Sequence, residues 1–344
     1  MDTLGRLITG LARSSAWLVW PWTHPPASRA WHPECVTPPE RRPFRFGVGI
    51  PGSIGDHGEV LEIARRAEAA GASVLVAFDH LGAWGAMPRL VAAAQATSLR
   101  IGPLVLNNDL RHPTVLAQEL ATVDAMTDGR LEIGLGAGWN RTEYEAAGLR
   151  FDPPPQRLRR MRASLAMLRQ ALSEGIIDHE ADDAYPAIHQ AGLPTSVQRP
   201  HPPFLVGGGG PKLLAFAARE AQIIGLDPRS LPGGGSDPED ITADAIERKV
   251  AWIREAAGDR WAELELTIHV WQTDPELHTR TGPPPPRHHG ISEQELPKSP
   301  HYLVGDTQQM VEALFARRER WGISYVTFGS EHLPVLEPVM ARLA

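Results

Sequence analysis

The sequence predicts a (β/α)8 barrel with loop insertions at the C-terminal face of its strands. From Phe44 onward, eight short β-branched or aliphatic runs recur along the 344-residue chain, and apolar residues three and four apart follow each run. Glycine and proline number 32 each, which indicates frequent turns. Eight strand–helix repeats are what such a barrel requires, whereas a doubly wound sheet usually needs only about five or six strands.

The predicted strands and helices alternate as far as the last residues of the chain. The first helix is expected to stop at Gly71, a suitable C-terminal cap. The seventh is expected to begin at Asp306, with Gln309 three residues later as in a capping box. The strands are predicted at 46–50, 74–78, 101–106, 131–135, 204–207, 223–226, 264–271 and 324–328. The helices are predicted at 57–70, 88–97, 114–126, 156–174, 211–220, 240–257, 306–322 and 332–343.

Three stretches do not fit the repeat. Residues 1–43 hold seven prolines, four of the ten tryptophans and the single cysteine, Cys35, without a helical or strand period. They are predicted to be a flexible N-terminal extension, the alternative being an arm that binds a partner or touches a membrane. Residues 178–202 and 273–300 are longer than a connection needs and are predicted to lie at the strand C-termini, where barrel active sites are built. The barrel is thus assigned to residues 44–344.

The composition excludes several classes of function. The net charge of −7 argues against a nucleic-acid or polybasic membrane partner. A single cysteine forms no internal disulfide, so we expect a reducing cytoplasm. The 14 histidines form no H-x-H or H-E-x-x-H pattern, so no metal site is predicted. No apolar stretch near the N-terminus approaches the ~20 residues that span a bilayer.

Polar residues follow the second and third predicted strands. At the end of the second, His80 is suited to proton transfer near neutral pH, with Asp79 fixing its tautomer or bonding a ligand. The alternative is an Asp-His pair that caps the next helix. After the third, Asn107 and Asn108 offer donors and acceptors for the edge of a pyrimidine-like ring. They are equally common in turns.

Glycines follow the fourth and fifth predicted strands. The run at 134–138 is not a dinucleotide fingerprint, because Trp139 stands where the third glycine would be. These glycines would let a flat ligand approach the backbone, and Trp139 could stack on it or be a core or rim tryptophan beside a tight turn. The run at 207–210 precedes Pro211 at the start of a helix, where exposed N–H groups suit a phosphate.

An ordered set of five segments resembles a known superfamily. They are FDHLGAW, PLVLNNDLRHP, AQELATVDAMTDGRLEIGLGAGWNRTEYEAAGLRF, RPHPPFLVGGGGPKLLAFAAREA and YLVGDTQQMVEALFARRERWGISYVTF. Residues 44–344 resemble the luciferase-like flavin and deazaflavin oxidoreductases, which are (β/α)8 enzymes, and in detail a subgroup dependent on coenzyme F420. The resemblance implies a small-molecule substrate and coenzyme F420 as cofactor, with FMN as the alternative.

The resemblance also implies roles for individual residues. In deazaflavin members an Asp-His pair lies beside the reactive ring and a Trp four residues later stabilises the site, which implies catalytic roles for Asp79, His80 and Trp84. A third-strand segment, often with a non-proline cis peptide, contacts the ring. Loops after strands four and five hold the phosphate and ring edge. The implied cofactor contacts are Leu104, Val105, Asn107, Gly136, Ala137, Gly207, Gly208 and Gly209.

One departure limits what carries over. The sugar-phosphate dehydrogenase branch has an acidic residue after its strand-four glycines, where this chain has Trp139. The proton donor and substrate of that branch are therefore not transferred. The expected activity is hydride transfer between F420 and a small organic molecule, with His80 as acid/base.

Two alternatives to this activity remain open. One is a reduced-FMN monooxygenase supplied by a separate reductase, since both cofactors share a tricyclic ring and a ribityl phosphate. The other is a catalytically silent barrel that binds flavin or serves in an assembly. Helix faces in the superfamily often pair, so a homodimer is also expected.

Overall fold

The computed structural model describes residues 37–231, 235–274 and 298–343. The strands are β1 (Arg45–Ile50), β2 (Val74–Ala77), β3 (Arg100–Pro103), β4 (Leu106–Asn107), β5 (Ile133–Gly136), β6 (Ile176–His179), β7 (Ile188–Ala191), β8 (Phe204–Gly208), β9 (Ile223–Leu226), β10 (Glu265–Val270), β11 (Gln272–Asp274), β12 (Tyr302–Val304) and β13 (Ile323–Gly329). The helices are α1 (His57–Ala69), α2 (Ala86–Ala96), α3 (Pro113–Met126), α4 (Arg141–Ala146), α5 (Pro154–Glu174), α6 (Pro211–Glu220), α7 (Ala243–Ala257), α8 (Thr307–Trp321) and α9 (Leu333–Leu343).

One parallel sheet forms the centre of the fold. Its strand order is β3-β2-β1-β13-β10-β9-β8-β5-β4. Strands β3 and β4 are consecutive parts of one barrel strand, and they pair with β2 and β5 respectively. A bridge between Ile101 and Leu131 joins the two ends of the sheet. The sheet is therefore an eight-stranded barrel, and the predicted (β/α)8 fold is confirmed.

Capping residues that can be recognised in the sequence set the ends of helices α1 and α8. Helix α1 begins after Asp56, whose carboxylate accepts the backbone N–H of Glu59 at 3.1 Å, and it ends two residues before Gly71, at φ 85°. Helix α8 has the predicted capping box between Asp306 and Gln309. All eight predicted helices are present within a few residues of their expected bounds. Helix α4 is an additional, six-residue element that the sequence did not predict.

The barrel interior has an ionic end and an apolar middle. At the N-terminal ends of the strands, the Arg45 guanidinium pairs with Glu132 and Glu265, and Arg100 pairs with Glu132 at 2.7 Å. Burial alone would lower the pKa of Arg45, but the two carboxylates outweigh it and hold the pKa above its ordinary value. The apolar residues above are Val74, Val76, Leu205, Ile223 and Tyr325, with Leu104 and Val105 packed on them. A larger apolar layer fills the space between strands and helices.

The break in the third barrel strand determines the shape of the wall beside it. The peptide bond between Leu104 and Val105 is cis, as the resemblance implies. The Val105 side chain lies against the inner face of β5, where a Cβ on Gly136 would stand 2.5 Å from Val105 Cγ2. A Cβ on Gly134 would collide with the carbonyl oxygen of Pro103. Glycine is therefore required at both positions of β5.

Of the two predicted insertions, one follows a helix and the other follows a strand. Residues 178–202 lie between helix α5 and strand β8, so the prediction that they follow the C-terminus of a strand is wrong; they contain most of the antiparallel hairpin β6–β7, which begins at Ile176. The hydroxyl of Tyr185 in that hairpin contacts Ser164 at 2.7 Å and Asn108, immediately after β4, at 3.4 Å. The second insertion lies between β11 and β12, which pair with each other, and residues 275–297 lie outside the described residues.

The last residues of the predicted extension contact the barrel. Pro39 is buried in a short 3-10 helix, and Arg42 donates to the carbonyl oxygen of Glu263 at 2.8 Å. Residues 1–36, which include Cys35, lie outside the described part of the chain. None of the helices that the structure describes has the length and apolar character needed to cross a bilayer.

The glycine requirement in β5 predicts a selective loss of stability. Gly134→Ala should lower the free energy of unfolding by about 1–3 kcal/mol, because the new methyl group meets the backbone of Pro103. Urea denaturation followed by circular dichroism measures this change. Gly58→Ala, in the exposed first turn of α1, is the control and should be neutral or stabilising. Equal midpoints for Gly134→Ala and the parent protein would contradict the packing described here.

Candidate active site at the barrel mouth

His80 lies at the C-terminal end of β2 and contacts a carboxylate from another loop. Its Nδ1 lies 2.6 Å from Oε1 of Glu143, and the same oxygen accepts Nδ2 of Asn140 at 2.8 Å. The ring of Trp139 meets the imidazole edge to face, with centroids 5.8 Å apart. An Nδ1–H donated to Glu143 fixes the tautomer and leaves Nε2 for a ligand. His80 is about a third exposed, whereas Glu143 is mostly buried.

Glu143 reaches His80 because the chain turns sharply after β5. Gly138 has φ 75°, and a side chain there would collide with the hydroxyl of Tyr144. That hydroxyl lies 2.9 Å from Oδ1 of Asn107, and Tyr144 is fully buried. Burial raises the pKa of the Tyr144 phenol, so it stays protonated. Tyr144 thus anchors α4, which carries Glu143 one residue earlier.

Asp79 is held by an arginine. Both of its carboxylate oxygens accept from Arg111, at 2.7 and 3.0 Å, and Oδ2 also accepts the backbone N–H of Asn107 at 3.2 Å. The hydrogen bond to Asp79 raises the pKa of the Arg111 guanidinium. Asp79 therefore ties the end of β2 to the segment after β4.

The predicted ring contacts lie next to each other at the broken strand. Leu104 and Val105 are partly buried against the inner apolar cluster. Asn107 is buried, and its Oδ1 accepts from Asp109 and Tyr144. Its Nδ2 makes no hydrogen bond to a described residue. The Asn107 side chain therefore has one donor group left for a ligand.

The backbone after β5 is fixed from outside the barrel. The buried Arg157 donates to the carbonyl oxygens of Ala137 at 3.2 Å and Gly138 at 3.3 Å, and its guanidinium stacks on the ring of Phe151. Burial lowers the pKa of Arg157. The carbonyl groups of this turn are thus occupied, so Gly136 and Ala137 form a rigid edge of the mouth.

Three of the four glycines at the end of β8 and directly after it have a packing partner within the protein. A Cβ on Gly207 would lie 2.7 Å from Oδ2 of Asp227, one on Gly208 would meet Leu213, and one on Gly209 would meet the backbone of Arg229. Only a Cβ on Gly210 meets nothing within 4 Å, and no side chain caps the N-terminus of α6 there. The open place for an anion in this run is therefore the end nearest α6.

Two tryptophans are exposed at the mouth. Trp84 is 60% exposed and its indole covers Gly55, where a Cβ would collide with it. Trp139 is 45% exposed beside His80. Indole faces suit a flat ring, so both residues are candidates for ligand contact.

Sequence reasoning missed three polar groups of the mouth: Glu143, Asp227 and His269. Burial lowers the pKa of His269 to about 4, so the imidazole is neutral, and its Nδ1 lies 3.0 Å from the hydroxyl of Thr327. The spacing of Asn140 and Glu143, typical of a helix start, was the one available signal for α4. Among the described residues, no group of three His, Cys, Asp or Glu side chains could hold a metal ion.

Fold and site together define a (β/α)8 barrel whose mouth holds a histidine–carboxylate pair and exposed aromatic rings. The family model described as luciferase-like monooxygenase matches residues 43–270. The chain belongs to the luciferase-like monooxygenase family, and the resemblance seen in its motifs is confirmed.

Individual proteins support the same placement. An F420-dependent glucose-6-phosphate dehydrogenase of Kineococcus radiotolerans is 28% identical over 188 residues, which cover 52% of this chain and 55% of that one. The chain therefore spans about half the length of this relative. The coenzyme F420-dependent tetrahydromethanopterin reductase of Methanopyrus kandleri superposes with a TM-score of 0.67 at 19% identity, covering 88% of this chain and all of that one. A monooxygenase from Streptomyces bottropensis superposes with a TM-score of 0.63 at 20% identity, covering 86% and 96%.

The Asp79–Arg111 pair predicts a large difference between two arginine substitutions. Arg111→Met should cost on the order of 3 kcal/mol, because it leaves the buried Asp79 carboxylate unpaired. Arg141→Met removes an exposed pair with Glu145 and should cost less than about 1 kcal/mol. Urea denaturation of both variants measures the difference. Similar losses would show that Arg111 does not hold Asp79 in solution.

Proposed function

We propose that this chain is an oxidoreductase that transfers a hydride between coenzyme F420 and a small organic substrate, with His80 as the acid/base. The observation that carries the proposal is the 2.6 Å pairing of His80 with Glu143 at the mouth of a luciferase-like barrel. The F420-dependent names of its curated relatives support the choice of cofactor.

The residues present fit a flat cofactor with a polar side chain. Trp84 and Trp139 offer exposed aromatic faces, and Asn107 has a free amide donor at the ring edge. The uncapped start of α6 at Gly210 offers N–H groups to a phosphate. When bound, the deazaflavin supplies the hydride chemistry at its ring carbon.

His80 would move the proton that accompanies the hydride. In a carbonyl reduction the hydride adds to carbon, and His80, as the imidazolium, gives its Nε2 proton to oxygen and becomes the neutral Nδ1–H imidazole; in the reverse direction Nε2 of that neutral imidazole takes the proton from oxygen. Glu143 holds the ring through Nδ1. Trp139 contacts the imidazole edge to face and limits the orientations of its ring. Each group thus has a separate task.

The aromatic residue Trp139 at the rim of the mouth also bears on the class of substrate. Trp139 stands where the sugar-phosphate dehydrogenases carry an acid, so a sugar phosphate is not the substrate we propose. A small organic molecule with an electrophilic C=C, C=N or carbonyl carbon fits the mouth. A homodimer and a cytoplasmic location remain predictions.

A reduced-FMN monooxygenase is the second candidate. The description of the matching family as luciferase-like monooxygenase favours it. A separate reductase would then supply the reduced flavin. The two candidates differ in the cofactor that the mouth retains.

Equilibrium dialysis of the purified protein distinguishes these candidates. We expect coenzyme F420 to bind with a Kd in the micromolar range, and FMN to bind more weakly. Retention of FMN at micromolar concentrations without retention of F420 would reverse the choice. Failure of both cofactors to bind would leave the catalytically silent barrel.

Substitution of His80 tests its role as acid/base. His80→Ala should lower kcat by about 10²–10⁴-fold, the usual contribution of a positioned acid or base, with an unchanged Kd for F420. Glu143→Gln should lower kcat by about tenfold or more and change the pH profile, because the carboxylate that orients the imidazole is lost. Glu145→Gln, an exposed residue on the same helix, is the control.

Steady-state kinetics of the three variants with F420 and a substrate found by screening provide the measurement. A kcat for His80→Ala equal to that of the parent protein would remove His80 from the mechanism. An effect of Glu145→Gln as large as that of Glu143→Gln would indicate a disturbed α4 rather than a lost contact with His80.

A further inference from the structure

Asp227 lies on the inner face of the barrel, opposite His80. Ile223 belongs to the inner apolar cluster, and side chains alternate along a strand, so Gly225 and Asp227 share its face. Asp227 follows the last residue of β9, at the open end of the barrel. Around the barrel β2 and β9 are the second and sixth strands, four positions apart in a ring of eight. Asp227 and His80 therefore face each other across the mouth.

Two glycines make room for the Asp227 carboxylate. Its Oδ2 lies 2.7 Å from the position of a Cβ on Gly207 and 3.5 Å from that of a Cβ on Gly225. Any side chain at Gly207 would displace it. The small residues of β8 and β9 thus leave a recess that the carboxylate occupies.

Asp227 differs from its acidic neighbours in having no partner. Asp237 pairs with Arg229 at 2.9 Å, and Asp240 pairs with the buried Lys249 at 2.9 Å. The Asp227 carboxylate makes no hydrogen bond or ion pair to any residue in the described ranges. Lys249 donates to the backbone carbonyl oxygen of Asp227 at 2.9 Å and not to the Asp227 carboxylate. Burial raises the pKa of the Asp227 side chain, and the charge of Lys249 offsets this in part.

The Asp227 side chain is partly buried, and an unpaired carboxyl in such a place is costly unless a ligand completes it. Buried polar groups are nearly always hydrogen-bonded, and desolvation of an unpaired one destabilises the fold. Groups of this kind in a cleft are candidates for functional residues. A carboxylate attracts N–H and O–H donors and repels an anion, so a phosphate is disfavoured beside Gly207.

We propose that the Asp227 carboxylate binds an O–H or N–H group of the cofactor held in the mouth, from the side opposite His80. The phosphate of that cofactor then lies away from Gly207, towards the start of α6. The cofactor has two kinds of such donor: the hydroxyl groups of its side chain and the N–H groups of its ring. This inference rests on the proposed function, because it requires a flavin or deazaflavin in the mouth.

Equilibrium binding of coenzyme F420 to Asp227 variants tests the inference without turnover. Asp227→Leu should weaken binding roughly ten- to hundredfold, the loss expected for a hydrogen bond to a charged group. Asp227→Asn should fall between, because the amide oxygen still accepts. Glu239→Leu, an exposed acid in the same connection, should bind F420 as the parent protein does.

Thermal unfolding of the unliganded proteins gives a second measurement. Asp227→Leu and Asp227→Asn should be at least as stable as the parent, because each removes a partly buried carboxylate that has no partner among the described residues. The gain in stability of the variants should be larger near neutral pH than below about 3.9, the ordinary pKa of an aspartate. At the lower pH the Asp227 carboxyl of the parent protein is uncharged in both the folded and the unfolded state, so its removal gains little. A structural role for Asp227 predicts the opposite, a loss of stability.

Riboflavin and lumiflavin identify the donor. Loss of riboflavin binding alone in Asp227→Leu places the hydroxyl chain on Asp227, whereas loss of both ligands places a ring N–H there. Unchanged binding of F420 and both flavins by Asp227→Leu would overturn the inference while leaving the proposed function intact. Failure of the parent protein to bind F420 or FMN would overturn both.

Discussion

The mouth of this barrel depends on the packing of Val105 against a wall of glycine. The third barrel strand is interrupted between β3 and β4, and Val105 enters the interior there. No side chain is possible at Gly134 or Gly136 beside it. Because β4 then resumes in register with β5, Asn107 lies beside Gly136. The positions of Asp79 and Tyr144, which both bond to Asn107, follow from this placement.

Two short chains of contacts extend from Asn107. Its backbone N–H binds Asp79, which Arg111 fixes, so the residues after β2 are tied to the residues after β4. Its side-chain oxygen accepts from Tyr144, which anchors α4 and thereby carries Glu143 to His80. His80 is thus positioned from both directions by groups that converge on one asparagine. An interior packing contact in this way determines the geometry of a histidine at the mouth of the barrel.

The sequence predicted the repeating elements better than the contacts between them. Strand and helix positions follow from periodicity and caps, and His80 stood out because a polar residue follows a buried strand. Helix α4 has six residues and no apolar period, so only the spacing of Asn140 and Glu143 at its start marks it. The His80–Glu143 contact joins loops after two different strands, which only the barrel register brings together. For Gly207, Gly208 and Gly209 the glycine run suggested a phosphate, yet each is also required by a close protein neighbour.

The side from which Glu143 contacts His80 determines which nitrogen of the imidazole it bonds. An acidic residue directly after the strand-four glycines would stand at the position of Trp139, whose ring meets the imidazole edge to face. Here Glu143 comes from α4 and contacts Nδ1, so it holds and polarises the ring instead of meeting the ligand. The place left at the rim is aromatic, and the unpaired acid of the described mouth, Asp227, lies on the far side. A ligand between them meets an indole and an imidazole on one side and a carboxylate on the other. Such a mouth suits a flat ring with hydrogen-bond donors along one edge and disfavours a phosphate group at its centre.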